Sequence, residues 1–281
     1  MSEASSMPTA FRLRFLGTGA AEAYPAPFCR CRNCETARHN RGRDLRRRSA
    51  LLVNDDLLLD FGPDIFQAFQ EYGLDATRLQ TLCITHAHSD HLSTDGVEYR
   101  SSPFISETAL PLLTVYGPQE AMDLILAAIA PRFGDCRVRL LAVAAGDEIL
   151  AGPYTIRGFP AQHGGGKHEC LIYLLERDGH RLVYATDTGA ITEFAWIELT
   201  SHPPELAILD ATMGTMNGEG HMGIDQVIAT AERLRRLVGP GIQIIAHHFS
   251  HQRNPCYEEL VRLYGAHGIR VAYDGMTVEL G

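Results

Sequence analysis

Short apolar runs recur along the chain, and most are bounded by Gly, Pro, Asp or Asn, as strands usually are. Their spacing predicts strands over 11–16, 50–53, 57–61, 81–85, 114–116, 154–159, 171–175, 182–185, 206–209, 242–246 and 270–273. Between them, apolar residues recur at helical spacing over 119–130, 224–238 and 257–264, and less regularly over 65–72. Gly223 and Gly239 bracket the second of these helices. No repeat, low-complexity stretch or Pro-rich linker interrupts the alternation. The pattern predicts one α/β domain over residues 1–281, with two sheets covered by helices. Gly17-Thr18-Gly19 follows the first strand but lacks the third glycine of a dinucleotide loop, since Ala20, Ala21 and Glu22 come next. It reads as a tight turn.

Charge and composition narrow the class of function. The 281 residues include 25 basic and 34 acidic side chains, a formal charge of -9. That balance excludes a nucleic-acid binder working through bulk charge. The first ten residues, MSEASSMPTA, lack the basic lead and apolar core of a secretory leader. No apolar run approaches the ~18 residues of a membrane span. A soluble, cytoplasmic protein without a membrane partner is expected, and a homodimer is left open. Against the acidic background, eight arginines lie within 30–48, including Arg46-Arg47-Arg48. They read equally as a solvated, salt-bridged loop and as guanidinium groups for a substrate phosphate. Lys167, the sole lysine, follows Gly164-Gly165-Gly166 and has the same two readings.

Candidate chemistry concentrates in His86-Ala87-His88-Ser89-Asp90-His91, directly after the apolar run Leu82-Cys83-Ile84-Thr85. At a strand's carboxyl end the chain leaves the sheet and can aim several side chains into one cleft. His86 and His88, two apart on extended chain, can share one metal. Asp90 and His91, where a turn or helix begins, can face a second. Imidazole and carboxylate favour Zn, Mn or Fe over Ca or Mg.

This motif resembles the hallmark of the metallo-β-lactamase superfamily of hydrolases, and the resemblance extends over nearly the whole chain. Leu57-Leu58-Leu59-Asp60-Phe61-Gly62 is similar to the family's preceding Asp-x-Gly strand end. His163 is similar to its third histidine, Asp187 in Tyr184-Ala185-Thr186-Asp187-Thr188-Gly189 to its bridging aspartate, and His248 to its last histidine. The resemblance implies an αββα four-layer sandwich with a dinuclear site at one edge of the sheets. It implies that His86, His88 and His163 hold one divalent metal, Mn or Zn. Asp90, His91 and His248 would hold the other, with Asp187 between them. On the residues alone, His168 competes with His163, although His163 ends a predicted strand and so suits a fixed ligand. His247 and His248 must point to opposite sides. Asp60 and Asp210 end apolar strands near the same edge, either orienting ligating histidines or capping strand ends.

Three of the seven cysteines, Cys29, Cys31 and Cys34, fall within six residues, a spacing that suits a metal better than a disulfide framework. A closed zinc shell needs a fourth ligand. His251, three residues after His248, is the natural one, giving a structural zinc tied to a loop over about 28–48. With Tyr273-Asp274-Gly275-Met276 near the end, this combination resembles the carbon–phosphorus lyase accessory phosphodiesterases, which hydrolyse a ribosyl cyclic phosphate. Related coenzyme-biosynthesis proteins carry a similar cysteine cluster. The resembled phosphodiesterases place a proton-donating histidine before a helix, where this chain has His221 in Gly218-Glu219-Gly220-His221-Met222-Gly223. An imidazole suits donation near neutral pH. The expectation is a dinuclear metal-dependent phosphodiesterase acting on a small, cyclic phosphodiester. A metal-bridging hydroxide would be the nucleophile, with Asp187 and His221 as catalytic side chains and no nucleic-acid partner. One rival is a tRNA 3′-processing endonuclease, or another ester or thioester hydrolase of the fold. A rival of another class is a non-catalytic carrier of a small molecule or peptide in coenzyme biosynthesis.

Overall fold

The computed structural model describes residues 9–106 and 110–281, so most of the segment read for a leader lies outside the described residues. The strands are β1 Phe11–Gly17, β2 Ala50–Val53, β3 Leu57–Leu59, β4 Thr81–Cys83, β5 Leu113–Gly117, β6 Val138–Ala142 and β7 Glu148–Ala151. They continue as β8 Tyr154–Pro160, β9 Leu171–Arg177, β10 His180–Ala185, β11 Leu206–Asp210, β12 Gln243–His247, β13 Arg270–Val271 and β14 Thr277–Leu280. The helices are α1 Arg32–Asn40, α2 Ile65–Glu71, α3 Asp95–Glu98, α4 Gln119–Ile129, α5 Glu193–Ser201, α6 Ile224–Leu237 and α7 Tyr257–Gly265.

Two seven-stranded sheets result, in the orders β14-β1-β2-β3-β4-β5-β6 and β13-β12-β11-β10-β9-β8-β7. Strand alternation explains how they stack. On β9, Leu171, Tyr173 and Leu175 join the core between the sheets, while Ile172 and Leu174 join the core under α5, α6 and α7. Leu51 and Leu59 likewise face inward, and Leu52 and Leu58 face α2 and α4. Strands buried on both faces must be apolar at successive positions, which is why they stand out as continuous runs. The architecture is the expected αββα sandwich.

The remaining elements lack that signature. β6 and β7 pair at the sheet margins and leave side chains such as Leu150 exposed, so their sequences carry no clean apolar run. α5 spreads its apolar residues around its surface, with Ile197 exposed and Trp196 buried, which blurs the helical period. α1 is polar nearly throughout and buries only Cys34 and Ala37, within the segment expected as a loop.

The Gly17-Thr18-Gly19 segment is not a turn. Gly19 continues past β1 and forms parallel bridges to both Arg48 and Phe249, with Gly19 N donating to Arg47 O at 2.7 Å and Ala20 N to Phe249 O at 3.1 Å. Close backbone approach dictates the first glycine, because a Cβ at Gly17 would lie 1.8 Å from Arg48 O.

Strands β3, β4, β8, β10, β11 and β12 all deliver their carboxyl ends to the same edge of the sandwich. Asp60 follows β3, His86 lies three residues beyond β4, and His163 lies three beyond β8. Asp187 lies two beyond β10, Asp210 ends β11, and His248 follows β12. In parallel-strand sheets this is the edge where ligands bind.

Candidate functional site

His86 Nε2 lies 2.9 Å from His88 Nδ1, which lies 3.1 Å from His163 Nε2. Three ring nitrogens thus converge on one point, His86 and His88 from the first sheet and His163 from the second. The opposite nitrogen of two of these rings has its own partner: Thr85 Oγ1 at 3.0 Å from His86 Nδ1, and Gly220 O accepting from His163 Nδ1 at 3.1 Å. Burial pushes the His86 ring well below the usual imidazole range, with His91 adding to the effect. Burial lowers His163 too. Both are therefore neutral rings with lone pairs free to ligate.

A second group lies beside the first. Donor atoms of Asp90, His91, Asp187 and His248 all fall within 4.8 Å of one another. Asp187 Oδ2 touches His91 Nε2 and lies 3.0 Å from His248 Nε2, while Oδ1 faces the first group, 4.0 Å from His163 Nε2. Burial opposes the Asp187 charge, but His248 and His91 hold its carboxyl well below the usual range. His91 Nε2, Asp187 Oδ2 and His248 Nε2 are all buried, and although they lie against one another none is aligned for a hydrogen bond. Buried polar atoms are seldom left so. Three orphans converging in a nitrogen-and-oxygen donor set is what a divalent cation would satisfy, and the residues present fit one at each group.

The orienting shell is built around two aspartates whose role the sequence left open. Asp60 Oδ2 accepts from His91 Nδ1 at 2.7 Å, and Oδ1 accepts from Thr85 N at 2.8 Å. Asp210 Oδ2 accepts from Asp187 N at 3.1 Å, from Thr212 Oγ1 at 3.0 Å and from His221 Nδ1 at 3.1 Å. Its Oδ1 accepts from Thr212 N and Met222 N. Thr212 Oγ1 in turn meets His248 Nδ1 at 2.8 Å. Both carboxylates orient histidines and also take up backbone N–H groups beyond the strand ends. Asp60, Asp187 and His248 each hold a left-handed backbone, with φ of 64, 48 and 63°. Non-glycine residues adopt that conformation at a cost of order 1–3 kcal/mol, and such strain gathers at functional sites. Thr85 and Thr212 gave no signal in the sequence, because a threonine beside a strand end is ordinary until its partner is seen.

The neighbouring histidines are now distinguished. His247 points away from His248 into the inter-sheet core, with Nε2 2.9 Å from Ser49 Oγ. His168 does not replace His163; its Nδ1 pairs with Glu120 at 2.8 Å and its ring packs 5.2 Å from that of His88. His221 places Nδ1 3.1 Å from Asp210 Oδ2 and 3.4 Å from Asp187 Oδ1. Burial opposes its charge, but the bond to Asp210 prevails and holds it at about 9. Beside these rings opens a cleft of about 610 Å³, lined by His163, His168, Gly165, Glu219, Gly220 and Gln226 among others.

Cys29, Cys31, Cys34 and His251 also bring their donor atoms within 4.8 Å of one another. Cys31, which caps α1, and Cys34 approach His251 Nδ1 at 3.6 and 3.3 Å. Glu22 Oε1 lies 3.2 Å from His251 Nε2, fixing the ring with Nδ1 toward the thiols. The donor set suits a closed tetrahedral zinc shell. Three of the arginines nearby, Arg46, Arg47 and Arg48, are occupied structurally. Arg46 is buried, donating to Thr18 Oγ1 and Ala272 O and stacking on Phe249. Arg47 pairs with Glu71 and Asp274, and Arg48 pairs with Asp64 at 2.8 Å. Lys167 is exposed. No helix among the described residues is long and apolar enough to cross a membrane.

Comparison with known proteins agrees with the fold. The family model for the beta-lactamase superfamily domain matches residues 56–249. A coenzyme PQQ synthesis protein B of Azoarcus sp. (strain BH72) is 25% identical over 96% of this chain and all of its own length. A ribonuclease Z of Bradyrhizobium diazoefficiens is 29% identical, over 42% of this chain and 41% of its own. Among solved structures, a diphosphatase from the PhnP family superposes with a TM-score of 0.77 at 24% identity, covering 96% of this chain and 98% of that one.

Proposed function

The chain belongs to the beta-lactamase superfamily, a hydrolase family whose fold implies divalent metals, and from that premise we propose that it is a dinuclear phosphodiesterase for a small, cyclic phosphodiester. The observation that carries the reading is the set of orphaned donor atoms on His91, Asp187 and His248, next to the three converging nitrogens of His86, His88 and His163. In this reading His86, His88 and His163 hold one cation, Mn or Zn. Asp90, His91 and His248 would hold the other, with Asp187 between the two groups. Bound there, the cations would supply Lewis acidity toward a phosphoryl group and a nucleophile at neutral pH.

The chain's own residues do the rest. Asp60 and Thr212 hold the rings of His91 and His248 so that Nε2 faces inward. His221, with Nδ1 committed to Asp210, keeps Nε2 for the substrate and supplies the proton that an alkoxide leaving group requires. The cleft beside His163 accommodates the organic part of the substrate. The cysteine cluster with His251 holds a structural zinc that stiffens the strand end presenting His248.

Activity of the purified protein on bis-p-nitrophenyl phosphate, beside a carboxylic ester and a thioester, tests the reaction class. Hydrolysis of the diester that stops on chelation and returns with Mn or Zn is expected; turnover by metal-free protein would overturn the reading. Cyclic ribose phosphates and cyclic nucleotides then resolve ring size and sugar. A second reading, a non-catalytic carrier, is favoured by the full-length likeness to a coenzyme PQQ synthesis protein B. It predicts ligand binding without hydrolysis of any of the three ester classes.

A further inference from the structure

The 218–223 segment serves both sides of the centre. Its Gly220 carbonyl accepts from His163 Nδ1, and its His221 ring reaches Asp210 and Asp187. Yet Gly218, Gly220 and Gly223 lie within it, and glycine backbone is entropically costly to hold in one conformation. Two anchors are plain. Met222 N donates to Asp210 Oδ1 at 2.9 Å, and Glu219 O packs so closely on Gly189 that a Cβ there would lie 1.8 Å away.

The third anchor is a side chain. Gln226, in the first turn of α6, accepts at Oε1 from Gly218 N at 3.1 Å and from Gly223 N at 2.9 Å. Its Nε2 donates to Gly218 O at 3.0 Å. One carboxamide closes the segment at both ends and also satisfies the Gly223 N–H at the N-cap of the helix. Few side chains could do this, since the position needs an oxygen that accepts twice and a donor on the same planar group.

We propose that Gln226 is a positioning residue for the centre: by closing the 218–223 segment, it fixes both the carbonyl that sets the His163 tautomer and the place of His221. It acts through the backbone and contributes no donor atom to either group. Its role toward His221 rests on the phosphodiesterase reading, whereas its role toward His163 requires only that metal binds.

The test compares the full-length wild type with Gln226→Leu and Gln226→Glu, using Zn²⁺ titrated against a chromophoric chelator. In Gln226→Leu, the weaker-bound of the two active-site zinc ions should lose about tenfold in affinity, as second-sphere changes typically do, while the cysteine-site zinc is unchanged. Amide exchange should quicken over 218–223, and an alkyl diester should slow more than bis-p-nitrophenyl phosphate. Gln226→Glu, which can still accept from Gly218 and Gly223 but cannot donate to Gly218 O, should fall between the two; it carries the test if the leucine variant does not fold. Unchanged zinc affinity and exchange, or a uniform loss of all zinc with equal slowing of both diesters, would overturn the proposal. Should the wild type hydrolyse neither diester, the phosphodiesterase reading fails, while zinc affinity and exchange still decide the role of Gln226.

Discussion

At the scale of residues, the choice of ligating atom on four of the five candidate rings follows from what the ring's other nitrogen touches. Thr85, Asp60, the Gly220 carbonyl and Thr212 commit one nitrogen each on His86, His91, His163 and His248. Behind Thr212 stands Asp210, which accepts five hydrogen bonds, so Asp210→Asn should be costly although it preserves size. An amide cannot accept from Thr212, His221 and three backbone N–H groups together. Turnover about 10–100-fold lower, with weakened metal at the His248 group, is expected from zinc content and kcat measured together. His221→Ala should keep both metals but slow alkyl leaving groups far more than p-nitrophenolate, which leaves with little protonation. Equal slowing of the two, or metal loss, would remove His221 from proton donation. The contiguous His86–His91 motif was legible because its donors lie on one short segment. The threonines and Gln226 were not, since each acts on atoms distant along the chain that only the fold brings near.

At the scale of elements, strands buried on both faces announce themselves, and the loops that leave them do not. The expected strands at 50–53, 171–175 and 206–209 lie within β2, β9 and β11, whose apolar residues serve two cores at once. β6, β7, β14, α1, α3 and α5 were missed because each is short, sits at a margin or lacks a clean apolar period. Loop-to-loop contact can be probed at Gly189, where any Cβ collides with Glu219 O. Gly189→Ala should push the 218–223 segment off the Asp187 loop, costing about 1–3 kcal/mol and slowing turnover; denaturant melts and kinetics of the variant check both. At the other flank, Cys31→Ser should remove the zinc expected between α1 and His251. Thermal stability and bound zinc should fall before turnover per folded molecule does. A variant with native zinc content and melting temperature would refute a structural ion there.

At the scale of the molecule, the His86–His88–His163 group and the Asp90–His91–Asp187–His248 group each draw on both sheets: residues after β4 from one, and residues after β8, β10 and β12 from the other. Cations held there would act as cross-links, so chelation should lower the melting temperature as well as abolish turnover. The stabilisation per site should grow with the logarithm of metal concentration, reaching about 4 kcal/mol at a thousandfold excess over Kd; calorimetry at graded zinc concentrations measures it. The double bridge of Gly19 has a consequence of another kind. By joining Arg48 to Phe249, it sews the two sheets shut along the flank next to His248. The flank next to His163 carries the cleft. Among the described residues that cleft is a doorway to the centre, and a visitor entering it passes the first histidine group with its bulk trailing outward over the glycines of 164–166 and 218–220. Tolerance for larger substrates should be one-sided: extensions that trail through the doorway are accommodated, and those that would reach beyond His248 meet a closed wall.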